Sequence, residues 1–165
     1  MLAYLAGAIE YAPDHGKGWR REITPFLRGL GHEVYDPAED EKKTLSREEQ
    51  ENLRVWKYTA LGRFQSTVKK IVDYDLDIVS KADYLICYFD ENGLKGGGTS
   101  GEVTFAFRNR IPVYMVTAIP LTEISGWILG CSTKIFSNFD ELRNFLACVN
   151  IGAERAKLDG STDTR

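Results

Sequence analysis

A strand, a glycine-rich loop, a helix and a second strand follow one another in the middle of the chain, and this order strongly limits the possible folds. The apolar run at residues 82–90 predicts a buried strand, residues 103–107 have helical spacing, and residues 111–116 predict the next strand. Strands joined in this way are parallel, because the crossover through a helix is right-handed. Parallel sheets bind ligands beyond the carboxyl ends of their strands, so the loop at residues 94–102 is predicted to border a site.

Glu102 ends this loop, in the predicted first turn of the following helix, where its carboxylate can face a ligand. The same residues have a purely structural interpretation. Thr99 and Glu102 have the spacing of a capping box, in which each side chain satisfies a backbone N–H of the other residue. The preceding glycines are also typical of a flexible turn. Spacing alone leaves both interpretations open. The loop is not a Walker A motif, and it fits the dinucleotide fingerprint poorly because it follows a late strand.

The composition is that of a soluble globular protein with one domain. The chain has 165 residues, of which 43% are hydrophobic and 27% charged. Its formal net charge of -3 argues against binding to polymeric nucleic acid, whereas small nucleosides and nucleotides remain possible ligands. Three widely spaced cysteines and two histidines favour reduced thiols over a disulfide framework or a metal site. We find no membrane-spanning run and no signal peptide, so we expect a cytoplasmic protein.

The remaining pattern predicts three further strands and several helices. Strands are predicted at residues 1–9, 32–35 and 133–136, and helices at residues 19–30, 53–82 with a break near Gly62, 127–130 and 139–149. Residues 38–52 are predicted to form an exposed loop that becomes a helix near Ser46, and Pro25 is expected near a first turn or at a kink. Five strands alternating with helices predict an α/β fold: a single-domain, doubly wound parallel sheet of flavodoxin-like order 2-1-3-4-5, with helices on both faces. This domain is expected at residues 1–150, followed by a mobile tail at residues 151–165.

Asp75 lies beside an apolar stripe of the long predicted helix. The stripe consists of Val68, Ile71, Val72, Leu76 and Val79. Asp75 is three residues after Val72 and four before Val79, so it is close to the stripe and not opposite it. Such a carboxylate is either a boundary residue that pairs with a cation or a group that faces a pocket.

Three segments together carry a family resemblance. Residues 4–9 begin with a tyrosine and continue to Gly7, residues 75–83 fit the pattern D-L-x-x-I-x-x-A-D with Val79 in place of the isoleucine, and residues 98–102 fit G-T-x-x-E ahead of a helix. In this order and spacing, across residues 1–116, they resemble the nucleoside 2-deoxyribosyltransferase family and the related 2′-deoxynucleoside 5′-monophosphate N-glycosidases.

The resemblance implies roles for three residues. Glu102 would be the nucleophile that attacks the anomeric carbon and forms a deoxyribosyl ester, Tyr4 would orient its carboxylate, and Asp75 would handle the proton of the leaving and arriving base. Elementary electrostatics agrees with these roles. A helix N-terminus favours an ionised carboxylate, as a nucleophile requires, and an apolar stripe raises the pKa of a carboxyl group, as a proton donor requires. The pair resembles the acid and nucleophile of retaining glycosidases.

The chain departs from the family pattern at the sugar 5′ end. Six residues before the nucleophile, where transferases carry an aspartate and monophosphate hydrolases a serine, this chain has Gly96. The asparagine that a neighbouring subunit lends in the transferases has no counterpart near residues 126–128. We therefore expect Ser125 or backbone N–H groups to hold the 5′ end, and consecutive glycines beside Lys95 could form an anion nest. Base preference is expected to depend on loop residues. The full set of predicted substrate-binding residues is Gly7, Ala8, Trp19, Asp36, Gly96, Gly97, Gly98, Thr99 and Ser125.

These observations are consistent with three functions. The first is an enzyme that exchanges the base of 2′-deoxyribonucleosides through a covalent intermediate on Glu102. The second is an N-glycosidase of 2′-deoxynucleoside 5′-monophosphates, and the third is a non-catalytic nucleotide-sensing module. The expected partners are deoxyribonucleosides or deoxynucleotides and free nucleobases. The resemblance implies no metal and no cofactor, and it implies a homo-oligomer with shared active sites.

Overall fold

The structure, a computed structural model, describes residues 1–149, 151, 158 and 159 of the chain. At its centre is a sheet of five parallel strands in the order β2-β1-β3-β4-β5. The strands are β1 (Leu2–Gly7), β2 (Glu33–Tyr35), β3 (Tyr84–Tyr88), β4 (Val113–Val116) and β5 (Lys134–Phe136). The predicted α/β fold and its strand order are confirmed.

Alternate residues of each strand face two separate cores, because successive side chains of a strand point to opposite faces. In β1, Ala3 and Leu5 pack on one face, whereas Tyr4 and Ala6 pack on the other. The first face is covered by α1 (Lys17–Gly29) and α7 (Phe139–Cys148). The second is covered by α4 (Leu61–Lys81), α5 (Gly98–Arg108) and α6 (Gly126–Cys131). Helices on both faces are therefore confirmed.

Two helices depart from the prediction. Residues 38–44 were predicted to be an exposed loop, but α2 (Pro37–Thr44) is helical. Its start follows helix-capping rules: Asp36 accepts a hydrogen bond from the backbone N–H of Ala38, and proline suits the first helical position because its missing N–H has no partner there. Pro25, which was expected near a first turn or at a kink, lies inside α1 and away from its first turn.

The long predicted helix is divided into two. The first part, α3 (Arg47–Thr59), begins at the predicted Ser46 with a complete capping box formed with Glu49. It ends at Ala60, two residues before the glycine where the break was expected, and α4 follows directly. None of the residues of α3 is buried. This helix packs on α4, and its residues Leu53, Arg54, Lys57 and Tyr58 line a cavity.

The end of the chain is described only in part. Ile151 is buried in the core beside α7, and the carbonyl oxygens of Leu158 and Asp159 accept hydrogen bonds from Arg110. The other residues of the predicted mobile tail lie outside the described residues. Among the residues described, no helix combines the length and the apolar composition that crossing a bilayer requires.

Candidate active site

A hydrogen bond between Tyr4 and Glu102, which are 98 residues apart in the sequence, connects β1 to α5. The phenol of Tyr4 donates a hydrogen bond to Oε1 of Glu102 at 2.5 Å. Tyr4 is fully buried on the face of β1 that packs against α5. The short distance is typical of a hydroxyl that donates to a carboxylate.

The capping-box interpretation of Glu102 is wrong. Helix α5 begins at Gly98 with Gly97 as its N-cap and has no side-chain cap. Glu102 therefore lies in the second turn, one turn later than predicted, and its carboxylate is bonded to Tyr4 instead of a backbone N–H of its own helix. The effect of the helix dipole falls off within the first turn, so it stabilises this carboxylate less than the sequence indicated.

The glycine-rich loop leaves bare backbone at the start of α5. No atom lies within 4 Å of the place that a Cβ would take at Gly97, Gly98 or Gly101. The preceding turn is held by Asp90, whose Oδ1 accepts hydrogen bonds from the backbone N–H groups of Asn92 and Gly93. The missing side chains thus keep this part of the site open to a ligand.

Asp75 approaches the same site from α4 and is connected to Tyr4 through Tyr35. The hydroxyl of Tyr35 donates to Oδ1 of Asp75 at 3.3 Å. The rings of Tyr35 and Tyr4 are stacked with their centroids 5.3 Å apart, because the two residues are register partners on neighbouring strands. Two carboxyl groups and two phenols therefore form one connected cluster on one face of the sheet.

Burial determines the protonation of this cluster. Desolvation raises the pKa of Glu102 to about 8, and the nearby charge of Asp75 also raises it. The hydrogen bond from Tyr4 and the charge of Arg20 lower it. Burial and the neighbouring carboxylates also raise the pKa of Tyr4 and that of Tyr35, so both phenols keep their protons and act as donors. The sequence predicted an ionised Glu102, whereas the structure favours its protonated form at neutral pH.

A cavity of about 1260 Å³ opens over the cluster. Asp75 and Glu102 lie on its wall, together with bare backbone of the glycine loop. Most of the apolar stripe of α4 also faces the cavity, and only Val79 enters the core. Among the described residues, no group of three or more His, Cys, Asp or Glu side chains is arranged to hold a metal ion.

Six of the nine predicted substrate-binding residues lie on the wall of this cavity. They are Gly7, Ala8, Gly96, Gly97, Gly98 and Thr99. The other three lie outside its lining. Trp19 stacks on Phe139, Asp36 forms an ion pair with Arg20 at 3.3 Å, and Ser125 caps α6 by accepting from the backbone N–H of Trp127.

The structure adds residues that the sequence analysis did not select. Arg54, Lys57 and Arg108 bring positive charge to the cavity wall. Tyr35 could have been recognised from the predicted strand order, which places the end of β2 beside Tyr4. Trp127 is 68% exposed at the rim, and its indole N–H donates to Thr104 at 3.0 Å.

Comparisons with known proteins find similarity at the level of structure. No family model matches the chain, and no curated protein does. A 2-deoxyribosyltransferase from Bacillus psychrosaccharolyticus superposes with a TM-score of 0.60 at 18% identity, over 88% of this chain and 92% of that one. A CMP N-glycosidase from Clostridium botulinum superposes with a TM-score of 0.53 at 15% identity, over 89% of this chain and 98% of that one. The chain therefore has the fold of a 2-deoxyribosyltransferase and of an N-glycosidase, as the resemblance in its sequence predicted.

Proposed function

We propose that the protein is a nucleoside 2-deoxyribosyltransferase, with Glu102 as its nucleophile. The observation that carries this proposal is the hydrogen bond from Tyr4 to Glu102 on the wall of a cavity that also contains Asp75. A double displacement at an anomeric carbon needs two carboxyl groups, and here one is held by a buried donor and the other lies on the wall of the same cavity.

The reaction has two steps. In the first, Glu102 attacks C1′ of a 2′-deoxyribonucleoside, the C1′–N bond breaks, and the base nitrogen takes the bonding electron pair and a proton from Asp75. In the second, a nitrogen of an incoming base attacks C1′, the ester bond to Glu102 breaks, and Asp75 receives the proton of the incoming base. The sugar keeps its configuration because C1′ is inverted twice.

The protonation of the two carboxyl groups is part of this mechanism. Attack requires an ionised Glu102, whose pKa is raised to about 8 by burial. Asp75 must carry the proton that the leaving base receives. The charge of Asp75 raises the pKa of Glu102, so a substrate whose base contacts a protonated Asp75 would favour the ionised form of Glu102.

The second candidate is hydrolysis of a nucleoside 5′-monophosphate, with water in place of the incoming base. The positive side chains of Arg54, Lys57 and Arg108 on the cavity wall favour it, since they would attract a phosphate group in a protein whose net charge is -3. Two of them have partners: Lys57 pairs with Glu10, and Arg54 contacts His15.

A chromatographic assay separates these functions. Deoxyinosine plus free adenine is run beside deoxynucleoside monophosphates alone, with the wild-type protein, Glu102→Gln and a control, Glu123→Gln, at an exposed position. Formation of deoxyadenosine that requires Glu102 supports the transferase. Base release from monophosphates only would replace it by the hydrolase. No turnover, with tight nucleotide binding that survives Glu102→Ala, would contradict both and indicate a nucleotide-sensing module.

The surface around the cavity supports a homo-oligomer. Two aromatic residues on the cavity wall are strongly exposed: Tyr58 at 87% and Trp127 at 68%. Exposed aromatic groups beside a site mark a surface that another chain can cover. Light scattering on the purified protein should give a multiple of 18.6 kDa, and a monomer at micromolar concentration would contradict this part of the proposal.

A further inference from the structure

Arg20 has one of the largest fully buried side chains among the described residues, and the proposed reaction does not use it. Its exposure is 0%, and it shares one face of α1 with the buried Ile23 and Leu27. A buried arginine is costly unless its charge and its donors have partners. The position of those partners indicates what the side chain is for.

The guanidinium of Arg20 binds the carboxyl end of β1. Its Nε and Nη2 donate to the carbonyl oxygen of Leu5 at 3.2 and 3.1 Å, and Nη2 also donates to that of Gly7 at 3.0 Å. Its Nη1 donates to the carbonyl oxygen of Gly16 at 2.8 Å. Asp36 supplies the counter-charge at 3.3 Å. One side chain thus holds the strand that carries Tyr4 and the loop that forms part of the cavity wall.

Gly16 leaves the space that this guanidinium occupies. A Cβ on Gly16 would lie 2.3 Å from Nη1 of Arg20 and 2.3 Å from the carbonyl oxygen of Ala8, and Gly16 has a φ of 70°, where side chains are strained. At Gly7, a Cβ would be closest to the ring of Trp19, at 3.0 Å, and would make an ordinary contact with Nη2 of Arg20 at 3.4 Å. The loop therefore accommodates the arginine as a fixed part of the site.

The charge of Arg20 also acts on Glu102. Four groups on four elements influence Glu102 or are influenced by it: Tyr4 on β1, Asp75 on α4, Cys87 on β3 and Arg20 on α1. Of these, only Arg20 is positively charged. A positive charge in a buried environment is poorly screened and favours a nearby carboxylate in its ionised form.

We propose that Arg20 is a positioning residue of the active site, which fixes the end of β1 through the carbonyl oxygens of Leu5 and Gly7 and places its positive charge at the end of the strand that carries Tyr4. It lies outside the cavity lining, so it would act on a bound substrate through other residues. This inference rests on the proposed function for its catalytic meaning, while its electrostatic content can be tested without turnover.

The test is a titration of the Glu102 carboxyl carbon by NMR in protein labelled with ¹³C-glutamate, the signal being assigned by its loss in Glu102→Gln. Arg20→Lys keeps a positive charge. Arg20→Met combined with Asp36→Asn removes both members of the buried ion pair, and this avoids leaving an unpaired charge that would prevent folding. The control is Arg21→Met, which removes a positive charge from an exposed position one residue further along α1.

The titration midpoint of Glu102 is expected to rise by at least about half a pH unit in the double variant, and to stay close to the wild-type value in Arg20→Lys and Arg21→Met. If the enzyme turns over, the acidic limb of its pH profile for kcat/KM should move by the same amount, which is roughly a threefold loss of activity on that limb. An unchanged midpoint in the double variant would overturn the inference, whether or not the protein is active. A shifted midpoint without any turnover would contradict only the proposed function.

Discussion

Replacing Glu102 by glutamine is expected to stabilise the folded protein at alkaline pH while it abolishes turnover. The substitution keeps the size of the side chain, and the amide oxygen can still accept the hydrogen bond from Tyr4. It removes only the group that titrates. The variant therefore isolates what the ionisation of Glu102 contributes to the stability of the fold.

The direction follows from the pKa of Glu102, which burial raises from its ordinary value of 4.5 to about 8. The folded protein binds this proton more tightly than the unfolded chain does. Below about pH 4.5 the proton is bound in both states, and the full stability is present. As the pH rises from there towards 8, the unfolded chain releases its proton first, so the free energy of unfolding decreases until the folded carboxyl also ionises.

The magnitude follows from the same shift. One pH unit corresponds to about 1.36 kcal/mol, so the full shift would be worth about 4 to 5 kcal/mol. Glu102 is only partly buried, and water that reaches its carboxylate reduces this value. We expect the free energy of unfolding of Glu102→Gln, relative to that of the wild-type protein, to increase by about 2 kcal/mol between pH 5 and pH 8.

Urea unfolding of both proteins at pH 5, 6, 7 and 8 measures this gain as a difference between their free energies of unfolding. Titrating groups that do not interact with Glu102 contribute equally to both proteins and cancel. The matched control is Glu22→Gln, at an exposed position of α1. A gain that stays constant with pH, or that is largest at pH 5, would refute the argument that burial holds the proton on Glu102.

Three further predictions concern single residues. Tyr4→Phe removes the buried donor to the carboxylate, a bond worth about 1.5 to 3 kcal/mol, so kcat measured in the exchange assay should fall roughly 10- to 100-fold. Tyr35→Phe removes a longer bond, at 3.3 Å, and should lower kcat only about threefold; an equal effect of both changes would contradict the difference in their geometry. Gly16→Ala should lower the free energy of unfolding in urea by about 2 kcal/mol or more, because its Cβ would lie 2.3 Å from a backbone oxygen. Gly98→Ala, whose Cβ would have no neighbouring atom within 4 Å, should change this free energy by less than about 1 kcal/mol and should raise KM.

Local patterns in the sequence predicted most of the fold. The buried runs at β3 and β4, with a helix between them, predicted a parallel pair because the handedness of the crossover leaves few alternatives. The helix start near Ser46 could be predicted because its capping box with Glu49 involves only residues three positions apart. Residues 38–44 were misjudged as a loop, since their charge hid a short helix that Asp36 and Pro37 start.

The sequence also contained a signal that was not used. One face of α1 carries Arg20 at helical spacing from Ile23 and Leu27. The apolar residues of this face predict a buried stripe, which would include the arginine. A charged residue on such a stripe indicates a buried partner. The partner itself could not be predicted, because Asp36 and the carbonyl oxygens of β1 come close to Arg20 only when α1 packs on the sheet.

The sequence by itself determined the order of strands and helices, the two-faced pattern of the core and the open glycine loop at the start of α5. The tertiary structure alone decided the protonation of the candidate nucleophile. Position in the sequence placed Glu102 near a helix N-terminus and so predicted an ionised carboxylate. Its pKa is instead raised to about 8, because packing removes much of the surrounding water and brings Asp75 close. The opposing effects come from Tyr4 and Arg20 on other elements. Desolvation and long-range charge depend on what surrounds a group in space, and the surroundings of Glu102 are assembled from segments as far as 98 residues away along the chain.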